Sequence, residues 1–155
     1  MLSGADHLGD GRSVVLLDYD HDGLIDIASI NTNAPKLLLY RNEITSPYHF
    51  VALQFSGGNR EDKASKAVSN RDGYGVRIVL EWEDTVIVEE LRAGEGFSAQ
   101  NSKTLLIGLG DAKVIPKATV FWPSGQKTVY QDLPVDQLIL FSEGESGFTQ
   151  KPYKR

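Results

Sequence analysis

Short apolar stretches alternate with turn-forming segments along almost the whole chain. The apolar stretches are rich in β-branched and aromatic residues, and the segments between them are rich in Gly, Asn, Asp, Ser and Pro. Apolar and polar positions partly alternate in residues 50–55 and 76–82, as expected for a sheet with one buried face. This pattern predicts an all-β protein, an antiparallel β-sandwich or barrel. The predicted strands are residues 14–18, 25–31, 36–42, 49–55, 74–82, 85–92, 104–109, 117–122, 127–131 and 137–142.

The most distinctive chemistry lies in the turn between the first two predicted strands. Asp18, Asp20, Asp22 and Asp26 occupy the first, third, fifth and ninth places of this loop, and Gly23 occupies the sixth. Crowded carboxylates repel one another unless a cation lies among them, and this spacing can wrap oxygen ligands around a hard ion such as Ca²⁺. The loop therefore predicts a calcium site. The competing interpretation is a solvated Asp/Gly turn without metal, which the same residues favour.

The flanks of the loop predict a β-hairpin and not an EF-hand. An EF-hand loop lies between two helices and ends with Glu at its twelfth place, where this chain has Ser29. The flanking segments 14–17 and 25–30 are rich in β-branched residues and lack a helical apolar stripe. At a hairpin turn the four aspartates donate side-chain oxygens, and Leu24 donates its carbonyl oxygen. The predicted metal ligands are Asp18, Asp20, Asp22, Leu24 and Asp26.

Charge and composition exclude several classes of protein. The chain has 155 residues and a net charge of −5, which is wholly accounted for by the six aspartates and one arginine of residues 1–26. This acidic concentration favours cation binding and argues against nucleic acid, because no basic patch stands out to neutralise phosphates. The absence of cysteine rules out disulfides and thiolate zinc sites. No apolar run approaches the roughly 20 residues of a membrane span, and the N-terminus lacks the pattern of a signal peptide.

Two segments of the chain resemble known families. Residues 15–42 resemble an FG-GAP/VCBS-type β-propeller repeat, because the acidic loop is followed by Asn31 and by the run 37–42. Residues 48–142 are similar to the ASPIC/UnbV domain that follows such propellers in cartilage acidic protein-like proteins. Ile107 departs from that pattern, in which an aromatic residue commonly precedes Gly-Leu-Gly. The matching motifs are Ser69-Asn70-Arg71-Asp72-Gly73-Tyr74-Gly75-Val76-Arg77, Gly94-Glu95-Gly96-Phe97-Ser98-Ala99-Gln100-Asn101, Gly108-Leu109-Gly110 and Trp122-Pro123-Ser124-Gly125.

The resemblance implies a non-enzymatic protein of the extracellular space or cell envelope. It implies structural Ca²⁺, a protein or glycan as the partner, and no catalytic residues to carry over. It divides the chain into a repeat-like unit with the calcium loop (residues 1–45), an ASPIC/UnbV-like β domain (residues 46–145) and a flexible tail (residues 146–155).

A single propeller repeat cannot bury its own apolar face, because repeat architectures need about three units or more for stability. We therefore expect either a fragment of a longer propeller protein or a short paralogue, with the hairpin docked on the β domain. An exposed sheet edge is the expected liability, and it offers a route to a homo-oligomer.

Other residues suggest competing functions. A carbohydrate-processing or biosynthetic enzyme would use paired carboxylates as acid and base. Trp82 and Trp122, with Tyr74 and Phe97, would suit an aromatic platform for sugar, but both tryptophans end apolar strands and core packing is favoured. The segment 70–72 reads either as a polar recognition loop or as residues that shape a turn. A purely structural role within a longer protein also stays open. The candidate acids are Glu81, Glu83, Glu89, Glu90 and Glu95.

Overall fold

The chain is an all-β protein, as its pattern predicted. A computed structural model describes residues 4, 5, 7–61 and 64–153. Within these residues the chain forms eleven strands and no helix, so the described part holds no helix that is long and apolar enough to cross a membrane. The strands are β1 (Gly11–Leu17), β2 (Asp26–Asn31), β3 (Leu37–Tyr40), β4 (His49–Ser56), β5 (Arg77–Trp82), β6 (Thr85–Glu90), β7 (Leu105–Gly110), β8 (Val114–Phe121), β9 (Lys127–Pro134), β10 (Gln137–Ser142) and β11 (Phe148–Pro152).

Eight strands form two four-stranded sheets, which matches a β-sandwich. One sheet has the order β11-β10-β4-β7 and the other the order β6-β5-β8-β9. All neighbours within them are antiparallel except β10 and β4, which run parallel, so the first sheet is mixed where the sequence predicted antiparallel sheets. Alternation of apolar and polar residues does not indicate strand direction. All four strands of the other sheet lie between β4 and β10 along the chain.

Burial explains where the alternation is clear and where it fails. In β5, Ile78 and Leu80 are fully buried while Arg77 and Val79 occupy the opposite face, as a half-buried strand requires. In β4, Phe50 to Leu53 are all buried. One face of β4 lies in the sandwich core, and Phe50 on this strand contacts Tyr153 beyond β11, with ring centroids 5.4 Å apart. A strand that is covered on both faces need not alternate apolar and polar residues.

The C-terminal segment corrects the sequence analysis. Residues 146–155 were expected to form a flexible tail, but residues 148–152 form β11, which pairs with β10 from Phe148↔Phe141 to Pro152↔Gln137. Phe148 also packs edge-on against Tyr130 and Phe141. The sequence Phe-Thr-Gln-Lys-Pro is too polar for its pattern to predict a strand. The open edge of β10 and the aromatic contacts of Phe148 hold it in the sheet.

The remaining sheet, β1-β2-β3, docks on the side of the sandwich. Leu16 of β1 donates its N–H to Asn101 Oδ1 (2.9 Å), and the Leu16 carbonyl accepts the Ser102 N–H (3.1 Å). These bonds occupy the outward-facing backbone groups of Leu16, in an edge strand that would otherwise lie open at this point. The expected docking of the hairpin on the β domain is therefore present.

Glu143, which follows β10, joins three separate segments. Its Oε2 accepts the N–H groups of Gly58 (2.8 Å) and Ser69 (2.7 Å). Its Oε1 accepts the hydroxyls of Ser69 (2.8 Å) and Ser124 (2.5 Å). Burial alone would raise the pKa of Glu143, but the hydrogen bonds from Ser124, Gly58 and Ser69 outweigh it and lower the pKa below its ordinary value. Glu143 thus fixes the loop after β4 and the β8–β9 turn to the end of β10.

Candidate metal centre

The acidic loop joins β1 to β2 and is shaped by two left-handed residues. The hairpin closes where Leu17 pairs with Asp26. His21 has a φ of 60° and Gly23 a φ of 87°, and only glycine adopts the left-handed region at little cost. A side chain at Gly23 would also collide with the ring of Phe50. The glycine predicted to permit a sharp bend therefore also lets the loop approach the sandwich closely.

Hydrogen bonds within the loop aim the carboxylates inward. Asp18 accepts the N–H groups of Gly23 (2.9 Å) and Asp22 (3.2 Å), and Asp22 accepts the N–H of Leu24 (2.9 Å). Asp18, Asp20 and Asp22 each bring one carboxylate oxygen within 4.8 Å of the others. Three of the five predicted ligands are therefore gathered in one half-buried group.

Asp26 lies outside this group. It is 1% exposed, and its two oxygens accept the N–H groups of Asn42 (2.7 Å) and Tyr19 (3.1 Å). The Asn42 side chain in turn donates to the Ile25 carbonyl (3.2 Å). Asp26 thus ties the loop to the residues that follow β3. Each carboxylate oxygen of Asp26 keeps a second lone pair that could bind a cation. The role of Asp26 as a metal ligand therefore stays a prediction, as does that of the Leu24 carbonyl.

Asp20 has the least satisfied carboxylate of the three. Its Oδ2 lies 2.8 Å from Nε of Arg41, but its Oδ1 is buried and has no hydrogen-bond partner. A buried carboxylate oxygen without a partner is costly, because the desolvation of a charged group is left uncompensated. A cation among the three aspartates would remove that cost. The donor set, carboxylate oxygens only, is the chemistry that Ca²⁺ prefers.

Arg41 is a residue that the sequence analysis did not assign to the site. Besides Asp20 it approaches Asp22 (3.9 Å) and Glu43 (4.0 Å), and its pKa is raised chiefly by the negative charge of Asp20. It reaches the loop because β3 pairs with β2 up to Tyr40↔Ile27, which places the next residue beside the hairpin end. Its position near the end of the third predicted strand, residues 36–42, was the only available signal.

Tyr153 was also missed, because it lies in the segment predicted to be a flexible tail. Its ring packs edge-on against His21 (5.3 Å between centroids) and Phe50 (5.4 Å), and its hydroxyl lies 3.2 Å from His21 Nδ1. Burial raises the pKa of Tyr153 above its ordinary value, and the charge of Asp18 and a hydrogen bond to it act in the same direction. The phenol stays protonated and joins the acidic loop to the residues that follow β11.

The other candidate groups are structural in large part. Trp122 is 3% exposed and packs against Phe55 in the core, which confirms the core prediction for this residue. Asn70 shapes its turn, because its side chain accepts the N–H of Tyr74 (3.0 Å) and donates to the Tyr74 carbonyl (2.7 Å). Asp72 lies 3.4 Å from Lys103.

Three of the five glutamates considered as catalytic acid or base form ion pairs with basic side chains. Glu81 lies 2.8 Å from Lys117, while Glu90 and Glu95 lie 3.7 Å and 3.6 Å from Arg92. Each of these carboxylates therefore lies in an ion pair at the surface.

Comparison with known proteins identifies the larger part of the chain. The family model described as ASPIC and UnbV matches residues 66–147, a span that includes β5 to β10. No curated protein matches the chain. The acidic loop lies outside the matched span, so the likeness of residues 15–42 to an FG-GAP/VCBS repeat stays a prediction. The matched span covers more than half of the sequence, and the chain therefore belongs to the ASPIC and UnbV family.

Proposed function

We propose that this chain is a calcium-stabilised β domain that mediates contacts with a protein or a glycan outside the cytoplasm. The observation that carries the calcium part is the buried, unpartnered Oδ1 of Asp20 within the group of three aspartates. Asp18, Asp20 and Asp22 are the proposed first ligands, with the Leu24 carbonyl and Asp26 as additional donors. Water would complete the six to eight oxygens, roughly, that Ca²⁺ requires.

Calcium in this position would rigidify more than the loop itself. Asp18 is linked to Tyr153, and Gly23 lies against Phe50 of β4. An ion that fixes the loop therefore also stabilises the contact between the three-stranded sheet and the sandwich. Binding to the folded state alone raises the free energy of unfolding by mass action.

Membership of the ASPIC and UnbV family supports the proposed setting outside the cytoplasm. Calcium modules of that setting bind with a Kd of about 10⁻⁴ to 10⁻³ M, a range in which a site fills only where calcium is abundant. The family likeness also favours a binding role over a catalytic one. Incubation with a glycan panel separates the two: recovery of intact bound sugar supports binding, and released product supports a carbohydrate-processing enzyme.

The calcium proposal is tested by thermal unfolding of the full chain with Ca²⁺ or with EDTA. At about 10 mM Ca²⁺ and a Kd of about 10⁻⁴ to 10⁻³ M, the expected stabilisation is about 1.4 to 2.7 kcal/mol. For a chain of this size that corresponds to a rise in Tm of about 3 to 10 °C.

Variants of two aspartates distinguish a specific site from general charge screening. Asp20→Ala should abolish the difference between Ca²⁺ and EDTA. Asp10→Ala is the matched control, because Asp10 belongs to the same acidic segment but pairs with Arg12 at the surface and should leave the response intact. Equal Tm values for the wild-type protein in Ca²⁺ and in EDTA would refute the calcium proposal.

A further inference from the structure

The outer face of the sheet β6-β5-β8-β9 carries a valine-rich row between two rows that hold charged residues. On the central strands β5 and β8, the buried residues Ile78, Leu80, Ala118 and Val120 face the core. The residues that alternate with them therefore point away from the core and form the outer face of the sheet. The cross-strand registers place them in three rows of four. Those rows are Val86-Glu81-Lys117-Gln131, Val88-Val79-Thr119-Val129 and Glu90-Arg77-Phe121-Lys127.

The middle row has valines on three of the four strands, and on β8 it has Thr119, which is 4% exposed. Val88 at one edge is 52% exposed and Val129 at the other is 44% exposed. Val86, in the adjacent row, is 62% exposed. Three exposed valines on one sheet face are the kind of surface that protein contacts cover.

Charges divide this face into two unlike halves. The carboxylates lie on the half formed by β5 and β6, at Glu81 and Glu90, and the ammonium groups lie on the half formed by β8 and β9, at Lys117 and Lys127. The exception is Arg77 on β5, whose guanidinium lies 5.2 Å from the centroid of the Phe121 ring. Lys127 lies 5.4 Å from the same centroid.

A two-fold axis parallel to the strands, between β5 and β8, would match these halves. Such an axis places β6 of one copy over β9 of the other, and β5 over β8. Glu81 then faces Lys117 of the second copy, and Glu90 faces Lys127 of the second copy. In the middle row Val88 faces Val129, and Arg77 faces the aromatic ring of Phe121 across the interface. Each charged side chain meets an opposite charge or an aromatic face.

We propose that this face binds a second copy of the same chain in a two-fold symmetric, face-to-face dimer. A C₂ interface requires one self-complementary patch, which the pairing above supplies. Four strands about 4.8 Å apart and about seven residues long at about 3.4 Å per residue give roughly 450 Å² per copy. That area lies at the small end of specific interfaces, so the dimer is transient, with a Kd of about 0.1 to 1 mM.

Sedimentation equilibrium of the full chain from about 20 μM to about 1 mM tests this proposal, since that range spans the expected Kd. The wild-type protein should associate reversibly towards the mass of a dimer. Lys117→Glu and Glu81→Lys should each weaken association by about tenfold or more, because each places like charges opposite one another. An equal mixture of these two variants should recover association, since the altered charges then face opposite ones between unlike copies.

Two further variants separate the interface from folding. The double variant Glu81→Lys with Lys117→Glu restores the ion pair that each single variant breaks within one copy, and it should dimerise like the wild-type protein. Lys151→Glu reverses a charge on β11 of the other sheet and should have no effect. A wild-type monomer at about 1 mM overturns the proposal and leaves this face to another partner. Unchanged association of the single variants, or a mixture that associates no better than either, also overturns it.

Discussion

Removal of the Glu143 carboxylate offers a stability test with a magnitude set by four hydrogen bonds. Ser69 is 2% exposed, so its N–H loses its partner at a position that the fold shields from water, whereas the N–H of Gly58 lies at the surface. A buried donor left without a partner costs about 1 to 3 kcal/mol. Loss of the links to the Ser69 and Ser124 hydroxyls adds to this. We therefore expect Glu143→Ala to lower the free energy of unfolding by about 2 to 4 kcal/mol.

Glu143→Gln provides the matched, milder change. Its amide oxygen can still accept the two N–H groups, and its amide nitrogen can donate to the two hydroxyls, which rotate to become acceptors. Only the additional strength that the negative charge gives these hydrogen bonds is lost, which should lower the free energy of unfolding by about 1 kcal/mol. Urea unfolding measures both values. Glu145→Ala, two residues further along the chain at an exposed position, is the control and should lie within about 0.5 kcal/mol of the wild-type protein.

The pH dependence of this contribution has a definite sign. The folded state holds the pKa of Glu143 below its unfolded value of about 4.3, so the carboxylate stabilises the fold above that pH. As the pH falls through the lowered pKa of the folded state, the carboxylate is protonated and its contribution disappears. The stability difference between wild type and Glu143→Gln should therefore shrink on acidification. Equal costs for the Ala and Gln variants, or a difference that grows towards acid, would refute the reasoning.

Two predictions concern the residues that the tertiary structure adds to the acidic loop. Arg41→Gln removes a cation that competes with Ca²⁺ for Asp20, so calorimetric titration should show calcium affinity rising about 3- to 10-fold. An unchanged or weaker calcium affinity would contradict this competition, and Arg12→Gln serves as the control. Tyr153→Phe keeps the ring contacts but loses the hydroxyl's contacts with Asp18 and His21, and should lower the free energy of unfolding in urea by about 1 kcal/mol. A Tyr153→Phe variant as stable as the wild-type protein would show that the hydroxyl contributes nothing.

Local pattern was sufficient for the predictions that depend on nearest neighbours in sequence. The all-β class, the ten strands recognised from apolar runs and the hairpin around the acidic loop all follow from spacing within about ten residues. The gathering of Asp18, Asp20 and Asp22 is local in the same sense, because hydrogen bonds inside one turn aim these side chains inward. Calcium itself stays a prediction of that spacing.

The sequence by itself therefore determined ten of the strands and the acidic turn, because alternation and ligand spacing are properties of short segments. Tertiary structure alone decided that polar residues 148–152 form a strand, since pairing with β10 and the aromatic contacts of Phe148 outweigh weak local preference. It also decided that Arg41 and Tyr153 reach the aspartates, across the β2–β3 pairing and the whole length of the chain respectively. Contacts between residues far apart in sequence depend on which strands become neighbours, and no local pattern encodes that choice.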